Sequence, residues 1–222
     1  MSTAVLISGQ LRTAELCVNS ILKAFPDADF YINCVRDEDA HKARAFHAVA
    51  CSSYVQQPLP ERDFYYRRRG RGVHGVQQVL QQLYGLARVW ETYVAAGGDH
   101  DWVVRCRADI RFTVFPENES ERRGQIMIPS FCNYWGYNDR FAMVRREVAM
   151  RYFTRWDSLD SYLHNGGVFH PETFLKWCME DCRMVRTKAV FHTLRKDGST
   201  DEPLYFTESG DEKPVADVYP GQ

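Results

Sequence analysis

The first fifty-seven residues confine the chain to few architectures, because short apolar runs alternate there with segments of helical spacing. Residues 3–8 (TAVLIS) form an apolar run closed by Gly9. Ala14, Cys17, Val18, Ile21, Leu22 and Phe25 then recur every three or four positions, the spacing of a helix with one buried face, and Pro26 ends it. Residues 29–35 (DFYINCV) read as a second strand, 39–50 as a polar second helix and 53–57 as a short third strand. Strand, helix, strand, helix, strand in that order predicts a parallel sheet with right-handed crossovers. No Gly-x-Gly-x-x-Gly follows the first strand, so the dinucleotide-binding fingerprint is absent.

The same pattern repeats further on. Val76, Val79, Leu80, Leu83, Ala87, Trp90 and Val94 keep helical spacing over about five turns, and Gly97-Gly98 supplies the stop. Gln77, Gln78, Gln81 and Gln82 are expected to face solvent at one end of this helix. Residues 101–112 (DWVVRCRADIRF) follow: Trp102, Val103, Val104 and Cys106 make a buried strand that runs straight into charge. In open α/β sheets ligands collect in the crevice outside the carboxyl ends of the strands. Asp109, with Arg105, Arg107 and Arg111 around it, is placed at such an end.

Beyond Phe112 the pattern is less regular. Residues 125–129 read as a short strand, 131–138 (FCNYWGYN) as an aromatic-rich loop, 141–144 as an alternating run and 147–156 as a helix. Most of these aromatics belong to a core by composition, but Tyr134, Trp135 and Tyr137 beside a charged cleft would make a platform for a sugar ring. Asn165-Gly166-Gly167 is a turn, and His170-Pro171-Glu172 opens a helix with proline first and an acid in the first turn. Residues 185–194 read as a final strand or hairpin arm. Past Arg195 the chain is rich in charge, Gly and Pro, with Tyr205, Phe206 and Tyr219 as anchors, so a loosely packed surface tail is expected.

Length and composition fit one domain: 222 residues, 45% hydrophobic and 26% charged, enough for a sizeable core and unlike a disordered or fibrous chain. The formal net charge of -1 argues against wholesale nucleic-acid binding, which needs a basic surplus to release counterions. One local exception is Arg67, Arg68, Arg69 and Arg71. Those residues are read as a solvated loop, as a flap that closes over an anion through planar guanidinium forks, or as a nucleic-acid contact. No apolar run approaches the roughly 18 residues of a membrane span, and residues 4–7 are too short for a secretory leader, so the cytosol is the expected location. The 7 cysteines lie mostly in apolar, periodic surroundings and read as buried thiols. Cys178 and Cys182 have no second Cys/His pair at zinc-finger spacing.

Several of these stretches, in this order, resemble small GT-A-type glycosyltransferases such as those of bacterial surface-polysaccharide loci and of large DNA viruses of algae. The resemblance rests on Ser8-Gly9-Gln10-Leu11-Arg12, the long Gln- and Leu-rich helix, Arg105-x-Arg107-x-Asp109, Asn138-Asp139-Arg140-Phe141-Ala142 and His170-Pro171-Glu172, and it covers residues 3–195. It implies an α/β fold with a mostly parallel, Rossmann-like central sheet flanked by helices and a smaller mixed C-terminal part. Residues 1–112 would form the nucleotide-sugar half, 113–195 the acceptor half and 196–222 the surface tail of a single domain.

The activity so implied is transfer of a sugar from a nucleotide donor, a UDP- or GDP-sugar, to a hydroxyl of a glycan or glycoprotein, in the host cytosol if the source is viral. Ser8, Gly9 and Gln10 would bed the base and sugar. Arg12, Arg107, Asp109 and Arg111 would hold the diphosphate, with Asp109 as ligand of a Mn or Mg ion. Asp139 or Glu172 would be the base of an inverting reaction. The chain departs from the family at Asp109-Ile110-Arg111, where the second acid of the usual Asp-x-Asp is an arginine. That leaves either a single-carboxylate metal site or neutralisation of the phosphate by arginines. An inactive nucleotide- or carbohydrate-binding module of the same fold is the rival from another class.

Overall fold

The computed structural model describes residues 1–62, 65–66, 75–116, 124–201, 204–206 and 212–214. Arg67, Arg68, Arg69 and Arg71 lie outside the described residues. Strands β1 (Thr3–Gly9), β2 (Asp29–Val35), β3 (Ala50–Tyr54), β4 (Trp102–Cys106), β6 (Ile126–Pro129), β7 (Phe141–Arg145) and β8 (Met184–Thr187) form one seven-stranded sheet in the order β3-β2-β1-β4-β7-β6-β8. Neighbours run parallel from β3 to β4 and again between β6 and β8, and only β7 runs against its neighbours. The expected mostly parallel α/β sheet is present. Its central strands are buried on both faces, which is why they read as continuous apolar runs.

Side chains alternate between two cores. Ala4, Leu6, Val103, Ala142 and Val144 face the layer of helices α2 (Val76–Ala95), α3 (Arg146–Phe153), α4 (Leu159–His164) and α5 (Pro171–Cys178). Val5, Ile7, Trp102, Val104, Phe141 and Met143 face helix α1 (Ala14–Ala24), the 3₁₀ helix Ala40–Phe46 and a second, three-stranded sheet, in which β9 (Val190–Leu194) lies between β10 (Thr200–Asp201) and β5 (Ile110–Val114). Each fully buried Val, Leu, Ile or Phe among them contributes about 1.5–3 kcal/mol relative to exposure. Helix α2 ends as its sequence demands: Gly97 takes φ +75 and the Gly98 N–H returns to the Tyr93 carbonyl at 3.0 Å. Among the described residues no helix is long and apolar enough to cross a membrane.

Four expectations need correcting. Residues 39–50 hold a 3₁₀ helix, Ala40–Phe46, and no α-helix, because the chain reverses at His47 (φ 50) after two turns and returns directly to β3. Strand β3 starts three residues earlier than expected, since its pairing with β2 begins at Tyr31↔Ala50. Residues 185–194 are two strands in different sheets, β8 and β9. Asp101 to Phe112 is likewise split: β4 ends at Cys106, and β5 departs into the small sheet after the turn that carries Asp109. In the tail, Leu204–Phe206 (β11) pairs antiparallel with Glu212–Pro214 (β12).

Candidate active site at the carboxyl edge of the sheet

Strand β7 is antiparallel to β4 with Phe141 opposite Cys106, so the residues just before β7 meet those just after β4. This one reversal brings Asp139 and Arg140 to the edge where Arg107 and Asp109 stand. The Asp109 carboxylate is gripped by its own neighbour: Arg107 Nε donates to Oδ1 at 2.8 Å and Nη2 to Oδ2 at 2.6 Å. Burial opposes ionisation of Asp109, but the Arg107 guanidinium outweighs it and holds the carboxyl below its ordinary range. Arg105 takes the position after Val103 on the α2 side of β4, is 2% exposed, and donates from Nη1 to the Cys106 carbonyl at 2.9 Å. Burial lowers its pKa to about 10, so it stays charged at neutral pH.

Asp139 is 4% exposed and accepts a hydrogen bond from Gln82 Nε2 on α2. Glu172, in the first turn of α5, is 6% exposed, with Oε2 3.1 Å from His170 Nδ1. Burial and then the negative charge of Asp139 push the Glu172 carboxyl up to about 9, while burial pushes the His170 imidazole down. At neutral pH the Glu172–His170 contact therefore joins two uncharged groups. Below them lie Tyr152 and Arg155, the latter 2% exposed with its guanidinium carbon 4.7 Å from the Tyr152 ring centroid. Arg105, Arg107 and Arg155 against Asp109 and Asp139 leave the floor of the edge electropositive.

The remaining candidates from the sequence are distributed around this cluster. Ser8, next to last in β1, packs against α2 at Gly85, where a Cβ would meet its Oγ at an ordinary contact distance of 3.5 Å. Gly9 turns the chain at φ +103, and Gln10 reaches Gln56 beyond β3 at 3.4 Å. Arg12 and Arg111 are exposed: Arg12 contributes its backbone carbonyl to Lys42 Nζ at 2.7 Å, and Arg111 points to solvent from β5 opposite His192. Arg140 turns away from Asp139 to Thr193 Oγ1 at 3.4 Å.

Three residue roles were not visible in the sequence. Lys42 ties Glu15 (2.8 Å) and Asp39 (2.9 Å) under the loop that carries Arg12. Of the glutamines of α2 only Gln78 is exposed as expected: Gln77 bonds both backbone atoms of Leu59, Gln81 bonds the Gln57 carbonyl, and Gln82 holds Asp139. Gln56, Gln57, Pro58, Gln77, Gln78 and Gln81 line a cavity of ≈ 250 Å³ there. Amide side chains four apart on one helix face are the signal for such tethering, but the partner segment is set by the fold. Buried Arg155 gives no local signal at all.

The loop over the site is rigidly built. Asn138 Nδ2 donates to the Phe131 carbonyl at 3.0 Å, and the Tyr137 N–H donates to the Glu172 carbonyl at 3.0 Å. A Cβ on Gly136 would lie 2.0 Å from that same Glu172 oxygen, which is backbone and has no room to yield. Gly136→Ala is expected to part the loop from α5, costing about 1–3 kcal/mol and lowering the Tm by roughly 3–10 °C; a thermal melt of the variant measures it, and an unchanged Tm would refute the contact.

As a divalent-cation site the edge is a poor fit. Asp109 offers one carboxylate already forked by a guanidinium, and among the described residues no group of three or more His, Cys, Asp or Glu is arranged to hold a metal ion. The seven cysteines are free thiols, Cys178 and Cys182 included. The chemistry the edge can perform is anion binding beside a carboxyl pair of which one member keeps its proton.

No curated protein sequence matches the chain. Solved structures of similar fold include a nucleoside-diphosphate-sugar pyrophosphorylase from Vibrio cholerae RC9, at 7% identity over 83% of this chain and 90% of that chain, with TM-score 0.49. A glycosyltransferase involved in the glycosylation of the major capsid of PBCV-1 aligns at 9% identity over 84% and 81%, with TM-score 0.45. The glycosyltransferase GlyE of Streptococcus pneumoniae TIGR4 aligns at 10% identity over 84% of this chain and 45% of that chain, with TM-score 0.47. At these identities the likeness concerns the fold alone. Residues 2–170 match the family described as Domain of unknown function (DUF7796), and the chain belongs to that family.

Proposed function

For this member of the DUF7796 family we propose a glycosyltransferase that moves a sugar from a nucleotide donor to a hydroxyl acceptor, with the leaving diphosphate held by arginines. One observation carries the reading: two buried carboxyls, Asp139 and Glu172, lie at the same strand edge as the guanidiniums of Arg105 and Arg107, and burial favours the protonated form of Glu172. Sugar transfer asks for both. A departing nucleoside diphosphate develops negative charge that pre-oriented guanidiniums stabilise, and an acceptor hydroxyl must lose a proton to a carboxylate. In this reading Asp139 is the base, and protonated Glu172 donates a hydrogen bond to a hydroxyl or ring oxygen of a bound sugar. Ser8, Gly9 and Gln10 border the donor bed at the end of β1, with Arg12 and Arg111 at its rim. No step is assigned to a metal, because the donor set around Asp109 favours an anion.

A thermal-shift and turnover panel of UDP-, GDP-, CMP- and dTDP-sugars, each with Mn²⁺ and with EDTA, tests the proposal. The expected result is stabilisation by one nucleotide class and turnover that survives EDTA. Stabilisation lost in EDTA would return Asp109 to the role of metal ligand. Binding without turnover against any acceptor would favour the inactive-module reading that the missing second acid suggests, and no stabilisation by any donor would sink the enzyme reading.

A further inference from the structure

Arg105 and Arg155 are each 2% exposed and Tyr152 is 0% exposed, yet all three carry polar atoms that no group of the protein meets. Among the described residues the Arg105 guanidinium donates only to the Cys106 carbonyl, and the Arg155 guanidinium only to the Tyr152 carbonyl, from Nη1 at 2.6 Å. Arg105 Nε, Arg155 Nε and Nη2 and the Tyr152 hydroxyl are left without a hydrogen-bond partner. The three side chains belong to one place. Burial raises the pKa of Tyr152, and the charges of Arg155 and then Arg105 oppose it, with the Arg155 guanidinium beside the hydroxyl but not in hydrogen-bonding geometry with it. They come from β4, α3 and the 3₁₀ turn Arg155–Ser158, which pack together beneath the carboxyl edge.

The unmet nitrogens of Arg155 are the pair that makes a guanidinium fork. Arg107 shows the same pair occupied: its Nε and Nη2 hold the two oxygens of Asp109 at 2.8 and 2.6 Å. Arg155 presents an equal fork, and among the described residues no carboxylate pairs with it. A guanidinium cannot shed its proton to escape burial, so an unpaired one inside a core is costly until an anion meets it. We infer that Arg155, Arg105 and Tyr152 form a binding site for a small monovalent inorganic anion, such as chloride or nitrate, seated in the Arg155 fork. Arg105 Nε and the Tyr152 hydroxyl supply the further donors. Asp139 already acts on Arg105, so the one guanidinium without a counter-charge calls for a single negative charge. Enclosure by the helix-side core excludes bulky, strongly hydrated anions. Ordered water would satisfy these donors but not the charge. Nothing in this site depends on the transferase reading.

The test uses the full chain in sodium gluconate, with sodium chloride or sodium nitrate replacing it at constant pH and ionic strength. Thermal melts and the chloride NMR line width are measured for the wild type, Tyr152→Phe and Arg155→Met. The wild-type Tm is expected to rise saturably with chloride or nitrate, as for any ligand bound by the folded state alone, and nitrate should displace the protein-broadened chloride signal. Tyr152→Phe loses one hydrogen bond to the ion and should bind it on the order of tenfold more weakly. Arg155→Met keeps an unbranched stem without the fork and should lose the saturable response. Because Tyr152→Phe keeps the ring against Arg155, it carries the test even where Arg155→Met does not fold. An equal Tm in gluconate and in the small anions for the wild type, or the same apparent Kd in the wild type and either variant, overturns the inference and leaves these donors to ordered water. The nucleotide-sugar panel is read separately, so the anion site and the transferase reading fail independently.

Discussion

Asp139→Asn is expected to lower the rate of sugar transfer by on the order of 10²–10⁴-fold, the range over which a positioned general base acts. The substitution is nearly isosteric, and an asparagine carbonyl still accepts the hydrogen bond from Gln82 that now ends on the carboxylate. The fold should therefore survive while the charge is lost. Two consequences separate a missing base from a damaged site. Acceptor-free binding of the donor nucleotide, governed by Arg105 and Arg107, should change little, because neither guanidinium takes a hydrogen bond to Asp139 among the described residues. The Glu172 carboxyl should also ionise at lower pH, since the charge of Asp139 is the second cause of its elevation after burial. Turnover of Asp139→Asn within about threefold of wild type would remove Asp139 from the mechanism and pass the role of base to another carboxylate.

Glu172→Gln is expected to stabilise the protein at alkaline pH and to make the difference from wild type grow with pH. In the unfolded chain this carboxyl ionises near 4.5, and in the folded protein at about 9. Between those values the folded state holds one proton more than the unfolded state, so the stability of the wild type falls as pH rises. A glutamine carries no such proton and removes the fall. From pH 5 to pH 8 the gap should open by on the order of 2–4 kcal/mol, taking 1.36 kcal/mol for each unit as an upper bound. For a chain of this size that is roughly 5–10 °C in Tm. His170 works in the other direction. Its folded pKa is depressed, so its contribution is present above its ordinary value of 6.5 and is lost as pH falls below it. Melts at pH 7, 8 and 9 therefore isolate Glu172, and a variant-minus-wild-type difference that stays flat across that window would mean the carboxyl is solvated rather than buried. In activity, the same variant keeps a hydrogen-bond donor and should lose far less than Asp139→Asn.

Legibility in the sequence followed burial pattern and local chemistry. The runs that became β1, β2 and β4 are buried on both faces, so an unbroken apolar string marks them, and the β2 bounds Asp29–Val35 agree to the residue. Helix α2 was equally plain, because one apolar stripe over 20 residues and a glycine pair at its end allow no other reading. Strand β3 was misplaced because its burial alternates weakly at the sheet edge, where Ser52, Ser53 and Cys51 offer no apolar periodicity. The small sheet was missed for a different reason: β5 and β9 are 83 residues apart in their Ile110↔Thr193 pairing, and nothing local announces a partner at that distance.

The candidate site divides in the same way. Asp109 at a strand end, Asp139 before an apolar run and Glu172 in a helix first turn are each local signals, and all three were visible as single acids. Their roles were not. Asp109 proves to be the fork partner of Arg107, Asp139 is held by a glutamine 57 positions away, and Glu172 is kept protonated by burial beside that same Asp139. Residue identity and spacing determined which groups reach the carboxyl edge, because strand and helix periods are properties of short segments. Only the tertiary structure decided which of them carry charge there, since ionisation depends on solvent exclusion and on neighbours that the antiparallel run of β7 brings across the sheet from Cys106 to Phe141.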